Sequence, residues 1–484
     1  MATSIRRIGI IQNAPLPGDF SNNLRALVQG YRDCIDHGAE LVVAPADALC
    51  GLDPLDLAER ASFEEQTQRA LDALSAELGH APLILGGYRR FIADDELWDG
   101  MLGENSGEDG EAEERRRAAL VPYLLEQDTV TELGDSVVTE IDGVRVFVRL
   151  GERELLPDAE EFDLMVHLAL LPWHATAAAD MFDTMRWEAA TNGVPVVFCA
   201  PVGTAGGDIY GGGSFIVSAE GKPLLRLPFF EPAAKVADMK RGRPCAVLPE
   251  PRDLLRRALE RGIGDSVRNH GFTGACVPLD HANGTLLAAL CAGALGASHV
   301  CGLTFTGEEP AAKALGISIR KLEEPAGGEM PEATRARLRA AVSTAAAEEL
   351  GYMLICPLAR QDIMMGNFTL YAETCGGLAP LGNLYEMDLH MLKALLEEEH
   401  AGLFGALTEP PHPETGRIIH ELADRNIPAS ELIHNTPLFE ENEVRRVQRR
   451  IIASALKRTQ LPTILHVDSQ AEQIQLPTAH RLND

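Results

Sequence analysis

Side chains able to do chemistry are thinly spread along this chain. Nine cysteines stand singly, at positions 34, 50, 199, 245, 276, 291, 301, 356 and 375, and no Cys-x-x-Cys pair occurs. A thiol attacks only as the thiolate, beside a base or a cation, and a structural zinc site needs clustered ligands. Most of these cysteines lie in apolar runs. They read as buried, reduced thiols of a cytoplasmic protein, small residues filling core space at Cys50 and Cys199, with no disulfide framework. A second candidate is the turn Asp280-His-Ala-Asn-Gly-Thr285, set between the apolar stretch Gly274–Leu279 and a helical run from Leu286. Asp280 or Asn283 is expected to cap the helix, and His281 to be solvated.

The elements that would position these residues alternate between periods of two and about 3.6 residues. In the first half, strands are expected at Arg7–Gln12, Glu40–Ala44, Pro82–Leu85, Val144–Leu150, Leu164–Leu171, Val194–Ala200 and Ser214–Val217. Helices are expected at Asn22–Gly38, Leu57–Leu78 and Ala177–Asn192. Gly103–Glu114, rich in acid and glycine, reads as a solvated loop. Proline-rich Pro228–Pro251 marks a boundary, giving domains at 1–235 and 259–484 with a linker at 236–258, as suits 484 residues. The second half places strands at Gly274–Val277, His299–Leu303 and Tyr352–Cys356. Its helices span Thr285–Gly296, Ala333–Leu350, Leu384–Glu399 and Glu440–Arg458, and the tail after Thr459 reads as irregular, laid across a neighbouring subunit. Both halves are α/β.

Composition narrows the function classes. With 45% hydrophobic residues the chain can bury a sizeable core, and 72 acidic against 43 basic residues give a net charge of -29. Such a field repels phosphate backbones and anionic lipid, so no nucleic acid and no membrane partner is expected. No apolar run reaches the ~20 residues of a membrane helix, and the N-terminus has no signal-peptide pattern.

Local matches over roughly residues 5–470 resemble one family. Gly38-Ala-Glu-Leu-Val-Val-Ala-Pro45, Leu49-Cys-Gly-Leu-Asp-Pro-Leu-Asp-Leu57, Asn192-Gly-Val-Pro-Val-Val-Phe198, Tyr210-Gly-Gly-Gly-Ser-Phe-Ile-Val217 and Gly221-Lys-Pro-Leu224 are similar to nitrilase-type amidase domains. Gly366-Asn-Phe-Thr-Leu-Tyr-Ala-Glu-Thr-Cys-Gly-Gly-Leu-Ala-Pro-Leu-Gly-Asn-Leu-Tyr385, Glu409-Pro-Pro-His-Pro-Glu414 and Lys457-Arg-Thr-Gln-Leu-Pro462 are similar to NAD+ synthetase domains. That order resembles the glutamine-dependent NAD+ synthetases. The resemblance implies a nitrilase-like α-β-β-α sandwich, then a doubly wound parallel sheet of the adenine-nucleotide α-hydrolase type. It implies a homo-oligomer that frees ammonia from glutamine and, with ATP and Mg2+, converts deamido-NAD+ to NAD+.

The same resemblance, carried over residue by residue, finds most of the reactive groups changed. The family's general-base glutamate falls on Ala46, its lysine on Arg117 and its cysteine nucleophile on Gly151. Its Ser-Gly-Gly-x-Asp-Ser pyrophosphate loop falls on Asp280, His281, Ala282, Asn283, Gly284 and Thr285. Its Thr-Gly-Asn-Lys-Ser-Glu element falls on Pro357–Asp362, where Arg360 and Asp362 remain in kind. Asp362 and Glu373 are the candidate remnant of a Mg2+ site, Thr369 and Lys457 of a nucleotide site, and the Leu303–Leu315 segment is shorter than in the family. The expectation is a NAD+ synthetase homologue that has lost glutaminase and ATP-dependent amidation: a pseudoenzyme acting as scaffold, regulatory partner or nucleotide sensor, with no cofactor of its own. The alternatives are an enzyme of altered chemistry and a working glutamine- or ammonia-dependent NAD+ synthetase.

Overall fold

Apolar residues at alternate positions give β1 (Arg7–Gln12) two dissimilar faces, Ile8 and Ile10 on one and Ile11 on the other. In the computed structural model, which describes residues 5–92, 116–134, 137–151, 161–175, 177–241, 249–307, 310–325, 329–405, 407 and 413–467, those faces meet different partners. The acidic segment Gly103–Glu114, Cys245 and the chain beyond residue 467 lie outside the described residues. The chain divides into two compact units: Met1–Pro172 with Ala178–Ala205 and Tyr210–Leu248, and Pro249–Asp484 with Trp173–Ala177 and Gly206–Ile209.

In the first unit, β1 leads to α1 (Phe20–Asp36), opened by the Asp19 carboxylate accepting the Asn22 N–H at 3.3 Å. There follow β2 (Leu41–Val43), α2 (Ala61–Ala76), β3 (Leu83–Ile92), β4 (Arg116–Glu126), β5 (Thr129–Glu132), β6 (Val137–Ile141), β7 (Val144–Leu150), β8 (Leu164–Leu168), α3 (Ala177–Asn192), β9 (Val196–Cys199), the hairpin β10 (Val202–Ala205) and β11 (Asp208–Gly211), β12 (Phe215–Val217), β13 (Pro223–Arg226) and β14 (Ala233–Asp238). Two six-stranded sheets result, in the orders β14-β1-β2-β3-β4-β5 and β13-β12-β9-β8-β7-β6. Ile8, Ile10, Val43 and Ile84 of one sheet share a core with Val148, Val166, Val197 and Ile216 of the other. The outer face of the first sheet packs on Leu27, Leu71 and Leu74 of α1 and α2, and that of the second on Met185 and Ala189 of α3. This is the expected α-β-β-α sandwich.

The second unit opens with α4 (Pro251–Asn269) and builds β15 (Ala275–Pro278), α5 (Gly284–Leu295), β16 (Val300–Thr304), α6 (Pro310–Leu315), β17 (Ser318–Lys321), α7 (Glu332–Leu350) and β18 (Met353–Leu354). The four strands are parallel in the order β17-β16-β15-β18. Strand order runs outward from β15 to β17, then jumps back for β18. Right-handed crossovers therefore put α5 and α6 on one face and α7 on the other, as in a doubly wound sheet. The remainder is α8 (Arg360–Met365), β19 (Leu378–Ala379), α9 (Glu386–Glu399), α10 (Pro413–Ile419), one π-helical turn at His420–Asp424, α11 (Ala429–Asn435), α12 (Glu441–Ala453), α13 (Ala455–Arg458) and β20 (Thr463–Ile464). Helices α8 and α10 to α12 close over Ile363, Met364, Ile418, Leu432, Val444 and Val447.

Several boundaries differ from the sequence reading. The helix expected over Glu440–Arg458 breaks at Ser454, whose hydroxyl donates to Met364 O at 2.8 Å and lies as close to its own helix's Arg450 carbonyl. Thr463–Ile464, expected to be irregular, pairs with β19. Strand β14 runs to Asp238 and α4 begins at Pro251, so both ends of the span 236–258 carry regular structure. Among the described residues no helix is long and apolar enough to cross a membrane.

Candidate functional site

In an α/β unit, reactive groups collect at the carboxyl ends of parallel strands. In the first unit the parallel strands are β1, β2 and β3 in one sheet and β7, β8 and β9 in the other. Ala46 lies just past β2, fully buried in the inter-sheet core with Leu150 and Leu168. Gly151 directly follows β7 with φ +64°, and a Cβ placed there would meet nothing within 4 Å. Arg117 stands in β4 opposite Phe91 of β3. The turn at Gly151 is held from below. Its N–H donates to Leu168 O at 3.0 Å, and its carbonyl accepts the His167 Nε2–H at 3.0 Å. Arg149 Nη2 donates to His167 Nδ1 at 3.0 Å and pairs with Glu188 at 3.2 Å. These partners fix the neutral tautomer with the proton on Nε2. Burial, then the Arg149 charge, depress the His167 pKa to about 3.

One residue past Ala46, the buried Asp47 has a carboxylate oxygen, Oδ1, without a hydrogen-bond partner, and the amide oxygen of the buried Asn13 also lacks one. Burial pushes the Asp47 pKa up to about 7. Cys50 and Cys199 are fully buried, and burial raises both thiols, Cys50 to about 11. Neither is poised as a nucleophile. His167 and Asp47 were missed from sequence: each sits in an apolar run that reads as core, and only the fold brings Arg149 to one and leaves one carboxylate oxygen of the other without a hydrogen bond.

In the second unit the switch point lies between β15 and β18, so the crevice is formed by the turn 279–284 and the segment after β18. Asn283 Nδ2 joins these by donating to Pro357 O at 3.0 Å. The expected helix cap is not there. Asn283 occupies the cap position without a capping side-chain bond, because its amide is spent on Pro357. Asp280 turns the other way, accepting from Thr304 Oγ1 at 2.8 Å, Phe305 N–H at 2.7 Å and Thr306 Oγ1 at 3.1 Å. A carboxylate therefore takes up the donors of the turn after β16. Gly284 has no room for a side chain, since a Cβ would lie 2.6 Å from Pro278 O. Ala282 is exposed and Thr285 half-buried.

His281, expected to be solvated, is half-buried, and burial lowers its pKa against the opposing charges of Asp362 and Glu373. Asp362 is raised by burial while it accepts the Ala359 N–H at 3.3 Å, and Glu373 accepts the Thr369 N–H at 2.8 Å. These three groups are within electrostatic reach of one another. Among the described residues, however, no group of three or more His, Cys, Asp or Glu side chains is placed to hold a metal. Lys457 donates to the carbonyls of Gly366 (2.7 Å) and Phe368 and lies over the Phe368 ring, so its charge is spent within the fold. Arg360 is buried and ion-paired with Asp424, which also accepts from Tyr385 Oη.

Comparison with known proteins agrees with this two-unit plan. Residues 7–243 match the carbon-nitrogen hydrolase family. Glutamine-dependent NAD+ synthetases of Synechocystis sp. and Rhodobacter capsulatus are 24% identical over 468 residues (84% of each chain) and 25% identical over 433 residues (78% of this chain, 76% of theirs). Solved glutamine-dependent NAD+ synthetases from Cytophaga hutchinsonii and Acinetobacter baumannii superpose with TM-scores of 0.80 and 0.70. They cover 96% and 99% of this chain, and 95% and 100% of their own, at 15% and 17% identity. Over both units the chain is similar to glutamine-dependent NAD+ synthetases.

A nucleoside triphosphate brought to the turn 279–284 would meet the charge of Asp280. Asp280 brings a carboxylate to the turn after β15, held by the donors of the turn after β16. Two unit charges ~4 Å apart at an effective dielectric constant of about 20 repel by roughly 4 kcal/mol.

Proposed function

We propose that this homologue of the NAD+ synthetases carries out neither glutamine hydrolysis nor ATP-dependent amidation, and serves as a scaffold or regulatory protein built on the synthetase fold. The observation that carries this reading is the Asp280 carboxylate, bonded to Thr304, Phe305 and Thr306 and carried by the turn to which a nucleotide phosphate would come. The first unit supports it independently. A glycine at 151 has no atom with which to attack an amide, an alanine at 46 accepts no proton, and Cys50 is held as a neutral thiol. A regulatory protein of this kind works through assembly, and we assign it a homo-oligomer. Exposed Trp187 on α3 and the exposed pair Met387 and Met391, one turn apart on α9, suit such contacts.

A second reading, a working NAD+ synthetase, draws on the extent of the homology, which spans both units. One assay separates the two. The full chain is incubated with deamido-NAD+, ATP, Mg2+ and either ammonia or glutamine, and NAD+ is measured. The proposal expects no product above the protein-free control. Product from ammonia would contradict the reading of the Asp280 turn, and product from glutamine would contradict both halves.

A further inference from the structure

Strands β15 and β16 pair in parallel with Cys276 directly opposite Cys301. Neighbouring strands are about 4.8 Å apart, inside the roughly 4.4–6.8 Å that the Cα atoms of a disulfide span. Residues in register on adjacent strands point to the same face, and both thiols belong to the cluster under Ala346 and Ala347 of α7. We infer that Cys276 and Cys301 are a modification site, a dithiol closed to a disulfide by a hydroperoxide. The next residue in register is Ser318 of β17, a four-residue edge strand whose Ser318, Ile319 and Lys321 are exposed. Local opening of so short an edge uncovers Cys301 first.

The electrostatics set the order of events. A hydrogen bond between the two thiols holds Cys301 below the ordinary thiol range and Cys276 above it, and Arg320 adds a positive charge that favours the Cys301 thiolate. Cys291 and Cys356, by contrast, are pushed up to about 12 by burial. The Cys301 thiolate attacks one peroxide oxygen, the O–O bond breaks, and the alkoxide leaves as an alcohol with the proton Cys301 had released. The Cys276 sulfur, giving up its proton, then attacks the sulfenic sulfur. The S–S bond forms and water leaves. Two thiols are oxidised and one hydroperoxide is reduced. The bond joins β15 to β16 just below the turns that carry Asp280 and Thr304, so it ties the two sides of that turn together.

To test this, the reduced full-length protein is exposed to hydrogen peroxide, alkylated after denaturation, cut with a protease that cleaves before Asp280, and mass-mapped. The expected product joins the Cys276 and Cys301 fragments, two hydrogens lighter than their sum and separated by reductant. Cys291→Ser keeps the joined species. Cys276→Ser loses it and carries Cys301 on to sulfinic acid. Wild-type protein that shows no joined fragments at a peroxide dose that oxidises the partly exposed Cys375 overturns the inference, whether Cys301 is then still a thiol or already a sulfinic acid.

Discussion

Gly151 isolates what a single side chain contributes. Its φ of +64° suits glycine, yet a Cβ there would have free space. Gly151→Cys should therefore fold with a loss of about 1 kcal/mol, the cost of a left-handed non-glycine residue, seen as a shift in urea midpoint. It should gain no glutaminase activity, because the thiol arrives without a base. Supplying that base by Ala46→Glu should cost more than about 3 kcal/mol, since residue 46 is fully enclosed by apolar side chains and an unpaired carboxylate would have to be desolvated there. Asp424 makes the complementary case. Asp424→Ala leaves the buried Arg360 guanidinium without its counter-charge and should destabilise by about 3–5 kcal/mol in the same assay.

Among the elements, the turn from α8 into Gly366 controls how the helical part of the second unit closes. Gly366 ends α8 at φ +65°, and a Cβ would lie 2.5 Å from Cβ of Ser454, at the break between α12 and α13. Gly366→Ala should lower unfolding free energy by about 2–3 kcal/mol, part backbone strain and part collision, measurable by chemical denaturation. These elements were unequally legible. The apolar strands β1, β7, β8, β9 and β15 and the long helix α7 stand out by periodicity, and their expected ranges fall within a few residues of the structure. Strands β5, β13 and β17 escaped, being very short, and β4 escaped with Pro122 in its middle, so that pairing rather than pattern defines them. Of the candidate site, the identities at Ala46, Gly151 and Asp280 are plain in the sequence. The direction of the Asp280 side chain is not, because a turn aspartate caps its own helix in most settings, and here donors some twenty-five residues away compete for it.

For the molecule as a whole, acid stability reflects two buried groups with opposing demands. Unfolded, His167 takes a proton near the ordinary imidazole value of 6.5, whereas in the fold it does so only at about 3. The unfolded chain binds more protons between those values, so the stability tied to neutral His167 is intact above pH 6.5 and is lost as pH falls towards 3. Asp47 behaves oppositely. In the fold it keeps its proton up to about 7, while unfolded it releases it near 3.8, so stability drains away as pH rises from 3.8 towards 7. Asp47→Asn should remove that loss, leaving stability that climbs by on the order of 3 kcal/mol between pH 4 and 6.5, as His167 alone dictates. Thermal denaturation across that range, wild type against variant, reads the difference.

The central claim is that the carboxylate of Asp280, on the turn to which phosphate would come, opposes that charge, and calorimetric titration of the full chain with Mg2+-ATP addresses it most directly. No binding heat is expected from wild type at millimolar nucleotide, and Asp280→Asn should strengthen binding at least tenfold, as relief of roughly 4 kcal/mol of repulsion allows. Wild-type binding in the micromolar range, left unchanged by Asp280→Asn, would contradict the account.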